Sequence, residues 1–511
     1  MNTLEDYLKL QNGSDIRGVA VDTPDGAPVN LDGVRIYFIA RAFAKSVSQK
    51  TGRDVSELRI SVGHDSRITA DPLSDAVVKG IEDAGAKPIY TSLSSTPAMF
   101  MSTVLDEIRC DGAVMLTASH LPFNRNGAKF FVATGGYEKA DIKAVLTDAS
   151  EMDRAAEGRI PDCANARLKA ERFELIAAYA KHLREIIKEE VNAVDYHHPL
   201  KGLHIVLDAG NGAGGFFAPL VLEELGANTT GSHFLEPDGM FPNHEPNPEK
   251  KEAMDAIRSA VLTNRADFGM IFDTDADRAA AVFENGDEIN RNALIALIAA
   301  ILAKKYPRTT VVTDSVTSDE LHDFLENKLH MHHHRFKRGY RNVINEAQKL
   351  NESGTEAHLA METSGHGAIK GNYFLDDGAY LCVMMIIELA KRKSKGERIE
   401  DLIEDLEYPA DERELRFKIE DADTAAFGER VISEFRDYCK SLDGCTPLTE
   451  NYEGMRVSFD TEDTHGWALL RLSLHDPLMP FNVETKEAGG VARVLEMLRP
   501  FFSRYGFDSE F

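Results

Sequence analysis

Three times along this chain a short β-rich run leads into a glycine-bearing loop and then into an amphipathic helical pattern. The first stretch holds "LRISVGHDSR", "KPIYTSLS" and "DGAVMLTAS", interleaved with helical "DPLSDAVVKGIEDAGA" and "TPAMFMSTVLDEIR". The second holds "LHIVLDAGNGAGG", "ADFGMIFDTDADR" and "AAAVFENGDEI"; the third holds "TTVVTDSVTS", "MHHHRFKRG" and "AHLAMETSGH". Strands alternating with helices predict α/β layers with mixed, largely parallel sheets. Each stretch places its most chemically loaded loop just after an apolar strand, where open α/β sheets bind ligands. After residue 405 the rhythm changes. "ERELRFKIE", a helix near 423–440, "GMRVSFDTE", "WALLRLSLHD" and "PFNVETK" precede a last helix, "AGGVARVLEMLRPFF". That pattern predicts a smaller α+β unit with antiparallel strands. The domains expected are therefore 1–165, 166–288, 289–405 and 406–511, with the helical run "ELIAAYAKHLREIIKEEV" bridging the first two.

Composition narrows the function classes. A chain of 511 residues exceeds one ordinary core, consistent with several domains. No apolar run approaches the ~18 residues of a membrane helix. The acidic, amphipathic start "MNTLEDYLKL" fits neither a secretory signal nor a transit peptide. Five scattered cysteines without a CxxC pair read as reduced thiols of a cytoplasmic protein. A net charge of −26 argues against nucleic-acid binding, which needs a basic stripe. It leaves room for a small anionic ligand in a locally basic pocket, and arginines and lysines do recur beside glycines in "SDIRG", "GHDSR" and "FKRGYR".

Four motifs carry chemistry. "TASHLPFNRNGAKFF" (117–131) lifts Ser119, His120 and Lys129 out of the apolar strand "GAVML". A serine there commonly caps a helix or bonds its own turn, and an adjacent His120 in a strand-like end is expected to point the other way. "DTDADR" (273–278) spaces Asp273, Asp275 and Asp277 to converge oxygens on one hard cation. An EF-hand is excluded because its sixth position needs glycine and holds Arg278. "DAGNGAGG" contains Gly210, Gly212 and Gly215 in dinucleotide-fingerprint spacing with Glu236 beyond, against the plainer reading of a tight strand-to-helix turn. "ETSGH" (362–366), followed by "DDG" (376–378), sets a carboxylate, a hydroxyl and an imidazole, Glu362, Ser364 and His366, around a glycine, donors and acceptors suited to sugar hydroxyls. The His-rich "HMHHHR" (330–335) reads as a partly exposed edge strand rather than a metal site. A hydroxyl, a cation site, a sugar-type cluster and several arginines together describe phosphoryl transfer through a phosphorylated serine.

These motifs, in this order, resemble those of the α-D-phosphohexomutases, the phosphoglucomutase/phosphomannomutase superfamily. "SDIRG" is similar to the family's opening arginine motif, "TASHLPFNRNGAK" to its phosphoserine loop, "DTDADR" to its metal loop and "ETSGH" to its sugar loop. The resemblance implies three similar α/β domains plus a smaller C-terminal domain around a central cleft. It makes Ser119 the phosphorylated residue, with its phosphate and Asp273, Asp275 and Asp277 holding one Mg²⁺. Lys129 would take part in proton transfer, Arg17 would neighbour the phosphate with His120 in support, and Arg278 would face the sugar. Glu362, Ser364 and His366 would contact the sugar, and Arg471, Ser473 and His475 the substrate's distal phosphate. Three positions depart from the pattern, one of them His475, which replaces a threonine of the distal-phosphate loop. Met361 replaces the glycine before the sugar-loop glutamate, and in "RLSLHDPLMP" Pro480 stands where a second phosphate-binding arginine belongs.

The activity implied is transfer of phosphate between C1 and C6 of a small hexose phosphate, with a hexose 1,6-bisphosphate as intermediate or activator, by a monomer or homodimer. A hexose-1,6-bisphosphate synthase that releases the intermediate is the near alternative. A dinucleotide-dependent oxidoreductase and an inactive sugar-phosphate-binding protein are the remote ones.

Overall fold

The computed structural model describes residues 2–24, 26–473 and 476–511. The chain divides into two compact units, 1–290 with 364–400, and 291–363 with 401–511.

In the first unit the fully buried run Gly112–Leu116 lies inside a sheet whose order is Gln11–Asn12, Asp15–Val19, Arg125–Val132, Gly112–Leu116, Arg59–His64, Lys87–Leu93 and Glu171–Arg172. A strand covered on both faces has no polar side to show, which is why "GAVML" reads as unbroken apolar sequence. The pairs around Arg59–His64 are parallel, while Arg125–Val132 joins Gly112–Leu116 antiparallel. The helix Gly33–Thr51 begins at Asp32, whose side chain accepts the Arg35 N–H, and ends at Gly52 in the left-handed conformation (φ 68°). It buries Phe38 and Phe43 in a core shared with Val114, Leu116 and Phe130.

The unit's second sheet orders Glu288–Ile289, Ala279–Phe283, Phe268–Phe272 and Ile205–Asp208. Only Ile205–Asp208 and Phe268–Phe272 run parallel. The connection between Phe268–Phe272 and Ala279–Phe283 is the six-residue DTDADR itself, far shorter than a crossover requires, so these strands close as an antiparallel pair with the three aspartates at the turn. Helix Lys251–Asn264 packs Met254, Ile257 and Val261 against Val206 and Ile271 beneath it. Helix Leu175–Val191, expected from sequence as a bridge, packs on Gly378–Lys393, and Tyr179 Oη donates to Asp377 at 2.7 Å.

The second unit carries Thr310–Thr313 between His332–Arg335 and Ala357–Met361, all parallel. Its other sheet is antiparallel throughout, ordered Asp411–Lys418, Leu478–Thr485, His465–Leu470, Met455–Asp460 and Cys445–Pro447. Helices Thr424–Cys439 and Gly490–Phe502 cover one face around Phe417, Phe435, Phe481 and Phe502. The His-rich run forms the edge strand anticipated, with His332 exposed. The five cysteines are free thiols. Among the described residues no helix is long and apolar enough to cross a membrane.

Candidate active site

Ser119 sits just beyond the end of the first unit's buried strand Gly112–Leu116. Ser119 takes a left-handed backbone (φ 49°), and its N–H donates to Thr117 Oγ1 at 2.9 Å. This kink corrects the sequence expectation for His120. The chain has already left the extended conformation, so successive side chains do not alternate, and Ser119 Oγ lies 3.3 Å from His120 Nδ1. The loop is held from below by Arg67, 1% exposed, whose guanidinium donates to the carbonyls of Ser119, Leu121, Pro122 and Arg125. Its Nε faces Asp65 at 3.3 Å. Gly127 allows the neighbouring backbone in: a Cβ there would stand 2.0 Å from the Ile16 carbonyl oxygen and 2.8 Å from that of Thr117.

Ser119 Oγ donates to Asp273 Oδ2 at 2.9 Å, joining the serine to the aspartate turn. Asp273, Asp275 and Asp277 are all fully buried, with one carboxylate oxygen from each lying within 4.8 Å of the others. Such crowding shifts their protonation. Burial and the charges of Asp277 and Asp273 push Asp275 well above the usual carboxylate range, and burial with Asp277 raises Asp273. Asp277 suffers the same burial, but Lys129, His366 and Arg278 outweigh it and hold its carboxyl low. Lys129 Nζ donates to Asp277 at 2.8 Å and lies 3.6 Å from Asp15. Thr96 Oγ1 donates to Asp275, and the Thr96 N–H to the Asp275 carbonyl at 2.9 Å. Asp275 Oδ1 and Asp277 Oδ1 have no hydrogen-bond partner. Buried, all-oxygen and with acceptors to spare, this donor set fits a hard divalent cation.

Arg278 is buried at the turn's end and reaches Asp273 through Nε (3.1 Å) and Ser119 Oγ through Nη2 (3.3 Å). The resemblance turns this residue toward sugar; its guanidinium here lies on the serine. Nη2 also donates to His120 Nδ1, which therefore carries the lone pair. Burial, then Arg278 and Arg17, drive the His120 pKa down to about 2, so the ring is neutral. Arg17 is paired with Asp15 at 2.9 Å and donates to the Thr117 carbonyl. His366 faces Asp376 at 2.5 Å and Asp277 at 3.8 Å. Burial opposes its charge, yet Asp376 and Asp277 raise its pKa to about 9. His366 is thus a cation beside the aspartates. Ser364 Oγ is buried without a hydrogen-bond partner.

In the second unit, Glu362 is buried and accepts the Gly339 N–H at 2.6 Å. Arg471 is 6% exposed, and Ser473 Oγ accepts the Asp476 N–H at 3.3 Å. His475 lies outside the described residues. The glycines of the dinucleotide-like motif have another task. A Cβ at Gly212 would meet the Thr274 carbonyl at 2.4 Å, and one at Gly215 the Leu235 carbonyl at 2.0 Å. They let backbone pack on backbone, Gly212 against the aspartate turn and Gly215 against Leu235. Arg67, Thr96 and Asp376 escaped the sequence reading as site supports. Arg67 stood only among the glycine-flanked arginines, Asp376 only in "DDG", and Thr96 carried no signal.

A layered α/β chain that delivers a hydroxyl to three buried carboxylates and a guanidinium has the make-up of a phosphoryl-transfer enzyme. Family models described as phosphoglucomutase/phosphomannomutase alpha/beta/alpha domains I, II and III match residues 9–156, 177–286 and 290–408. A phosphomannomutase/phosphoglucomutase of Pseudomonas putida is 28% identical over 95% of this chain and 93% of its own length. A phosphoglucomutase of Neisseria gonorrhoeae is 27% identical over 94% of each. The crystal structure of a phosphoglucomutase/phosphomannomutase family protein from Burkholderia thailandensis shares the fold at a TM-score of 0.76, with 23% identity, covering 99% of this chain and 98% of that one. The chain belongs to the phosphoglucomutase/phosphomannomutase family.

Proposed function

We propose that this protein is a phosphohexomutase, moving phosphate between C1 and C6 of a hexose phosphate through phospho-Ser119 and a hexose 1,6-bisphosphate. The observation that carries the reading is the meeting of Ser119 Oγ with Asp273 and Arg278. In the first half-reaction a hexose hydroxyl oxygen bonds to phosphorus as the bond from phosphorus to Oγ breaks, and the hydroxyl proton passes to the protein. In the second, Oγ attacks the other phosphate of the bisphosphate, its ester bond breaks, and the proton returns to the new hydroxyl. No co-substrate is consumed.

Lys129 carries that proton, a role supported by its Nζ donating to Asp277 at 2.8 Å. Arg278 and Arg17 stabilise charge on the transferring oxygens, and neutral His120 orients Arg278 by accepting its N–H. Mg²⁺, held by Asp273, Asp275, Asp277 and the phosphoserine, would neutralise the phosphoryl oxygens and the leaving Oγ. Glu362, Ser364 and His366 offer the acceptors and donors for sugar hydroxyls.

The test is phosphorus NMR of the protein with Mg²⁺, catalytic bisphosphate and either glucose or mannose 1-phosphate, together with intact-mass analysis. Interconversion of 1- and 6-phosphates, a phosphate on Ser119 and loss of both in Ser119→Ala are expected. Turnover undiminished in Ser119→Ala would overturn the mechanism. No turnover of any hexose phosphate would overturn the function.

A further inference from the structure

A hexose phosphate must be gripped by its phosphate as well as its hydroxyls. The second unit holds a buried arginine suited to that grip. Along Leu478–Thr485, Met479, Phe481 and Val483 enter the core, so Pro480, Asn482 and Glu484 take the opposite face. The Arg471 N–H donates to the Pro480 carbonyl at 3.1 Å, placing Arg471 across from Pro480 on that face. Pro480 has no donor to offer beside it. Arg471 is itself buried, and its Nε has no hydrogen-bond partner.

The backbone of another arginine is brought to the segment beside it. Arg471 packs so closely on Gly454 (φ 58°) that a Cβ there would stand 2.7 Å from its own Cβ. The preceding residue, Glu453, accepts the Arg338 N–H at 3.2 Å and also the Ser315 hydroxyl. Arg471 and Arg338 therefore flank one short segment. Arg338 Nε lies 3.5 Å from Asp314, and the next residue, Gly339, holds Glu362. Burial first, and then the charge of Arg338, lowers the pKa of Arg471, with Glu453, Glu414 and Asp314 opposing. A buried guanidinium that feels the charge of a second, partly exposed one is relieved by an anion that accepts from both. Arg416 is the other nearby candidate, because register sets it directly opposite Pro480. It is 68% exposed against 23% for Arg338, which leaves Arg338 as the better placed.

We infer that Arg338 joins Arg471 as the second guanidinium of the phosphate-binding site in this unit, in place of the arginine that Pro480 excludes. The inference rests on the phosphohexomutase reading and adds a specificity-determining residue to it.

The experiment uses the full-length protein with Mg²⁺ and compares wild type, Arg338→Ala, Arg338→Lys, Arg471→Ala and Arg338→Ala/Pro480→Arg. Two quantities are measured: kinetics with a hexose 1-phosphate, and calorimetric binding of inorganic phosphate, which needs no turnover. Losing one charge-assisted donor pair should raise KM and the phosphate Kd of Arg338→Ala by roughly ten- to a hundredfold, with kcat changed much less. Arg338→Lys should recover part of the loss, and Pro480→Arg should recover part of it in the double variant. A structural role alone would lower Tm and leave the phosphate Kd of Arg338→Lys at the wild-type value. The inference is overturned if folded Arg338→Ala or Arg338→Lys keeps wild-type KM and Kd while Arg471→Ala loses both, an outcome that leaves the mutase reading standing. Should wild type turn over no hexose phosphate, the mutase reading fails, and the phosphate Kd alone decides whether Arg338 binds the anion.

Discussion

Replacing Asp275 by asparagine should shift stability in opposite directions with and without metal. The three aspartates keep ligand oxygens within 4.8 Å of one another in a fully buried turn. At that separation two unit charges repel by about 3 kcal/mol with an effective dielectric of ~20. Asp275 faces two such neighbours and responds by a pKa raised well above the usual range, first through burial and then through their charges. Its protonation limits the strain, so Asp275→Asn should stabilise the metal-free protein by about 1–3 kcal/mol once the pH is high enough to ionise the wild-type group. The sign follows from linkage. A carboxyl whose folded pKa exceeds its unfolded value loses stability as pH rises between the two, and the amide escapes that loss. Thr96 can still donate to the amide oxygen, so the turn should survive. With Mg²⁺ the sign reverses, since one ligand charge worth about 3 kcal/mol is gone and affinity should fall roughly a hundredfold. Melting curves in chelator and in Mg²⁺, taken at several pH values, with calorimetric Mg²⁺ titration, measure both arms. Metal-free Asp275→Asn melting no higher than wild type at alkaline pH, or Mg²⁺ stabilising both proteins equally, would refute the reasoning.

Arg67→Ala should cost about 3–5 kcal/mol, because it strands Asp65 and four loop carbonyls in the interior. Urea unfolding measures it, and Arg67→Lys should not restore it, since an ammonium cannot span the fork. Asp377 is raised to about 6, chiefly by burial, against the donors Tyr179, Tyr380 N–H and Asn372. Its contribution to stability should therefore fall as pH rises from about 4 to 6. The stability difference between Asp377→Asn and wild type should move in the variant's favour over that interval, and a pH-independent difference would show that the carboxyl is not shifted.

The legible parts of this protein were those written in local pattern. An apolar run followed by a polar loop marks a buried strand and its exit wherever the rest of the chain lies, so Gly112–Leu116 and Phe268–Phe272 were readable along with Ser119 and the three aspartates beyond them. The motif order carried the family likewise. What tertiary structure alone decided was direction and company. Strand sense depended on connection length, which made the DTDADR turn a hairpin. The side of the chain on which His120 points depended on one left-handed residue. The close glycine contacts at Gly212 and Gly215 involve backbone from distant segments, so their spacing imitated a nucleotide loop. Arg67, Thr96 and Asp376 became part of the site only through partners remote in sequence, Arg67 and Thr96 by 52 and 179 residues. Hydrogen bonds and charges act through space over a few ångströms, and a single sequence does not record which distant groups folding will bring that near.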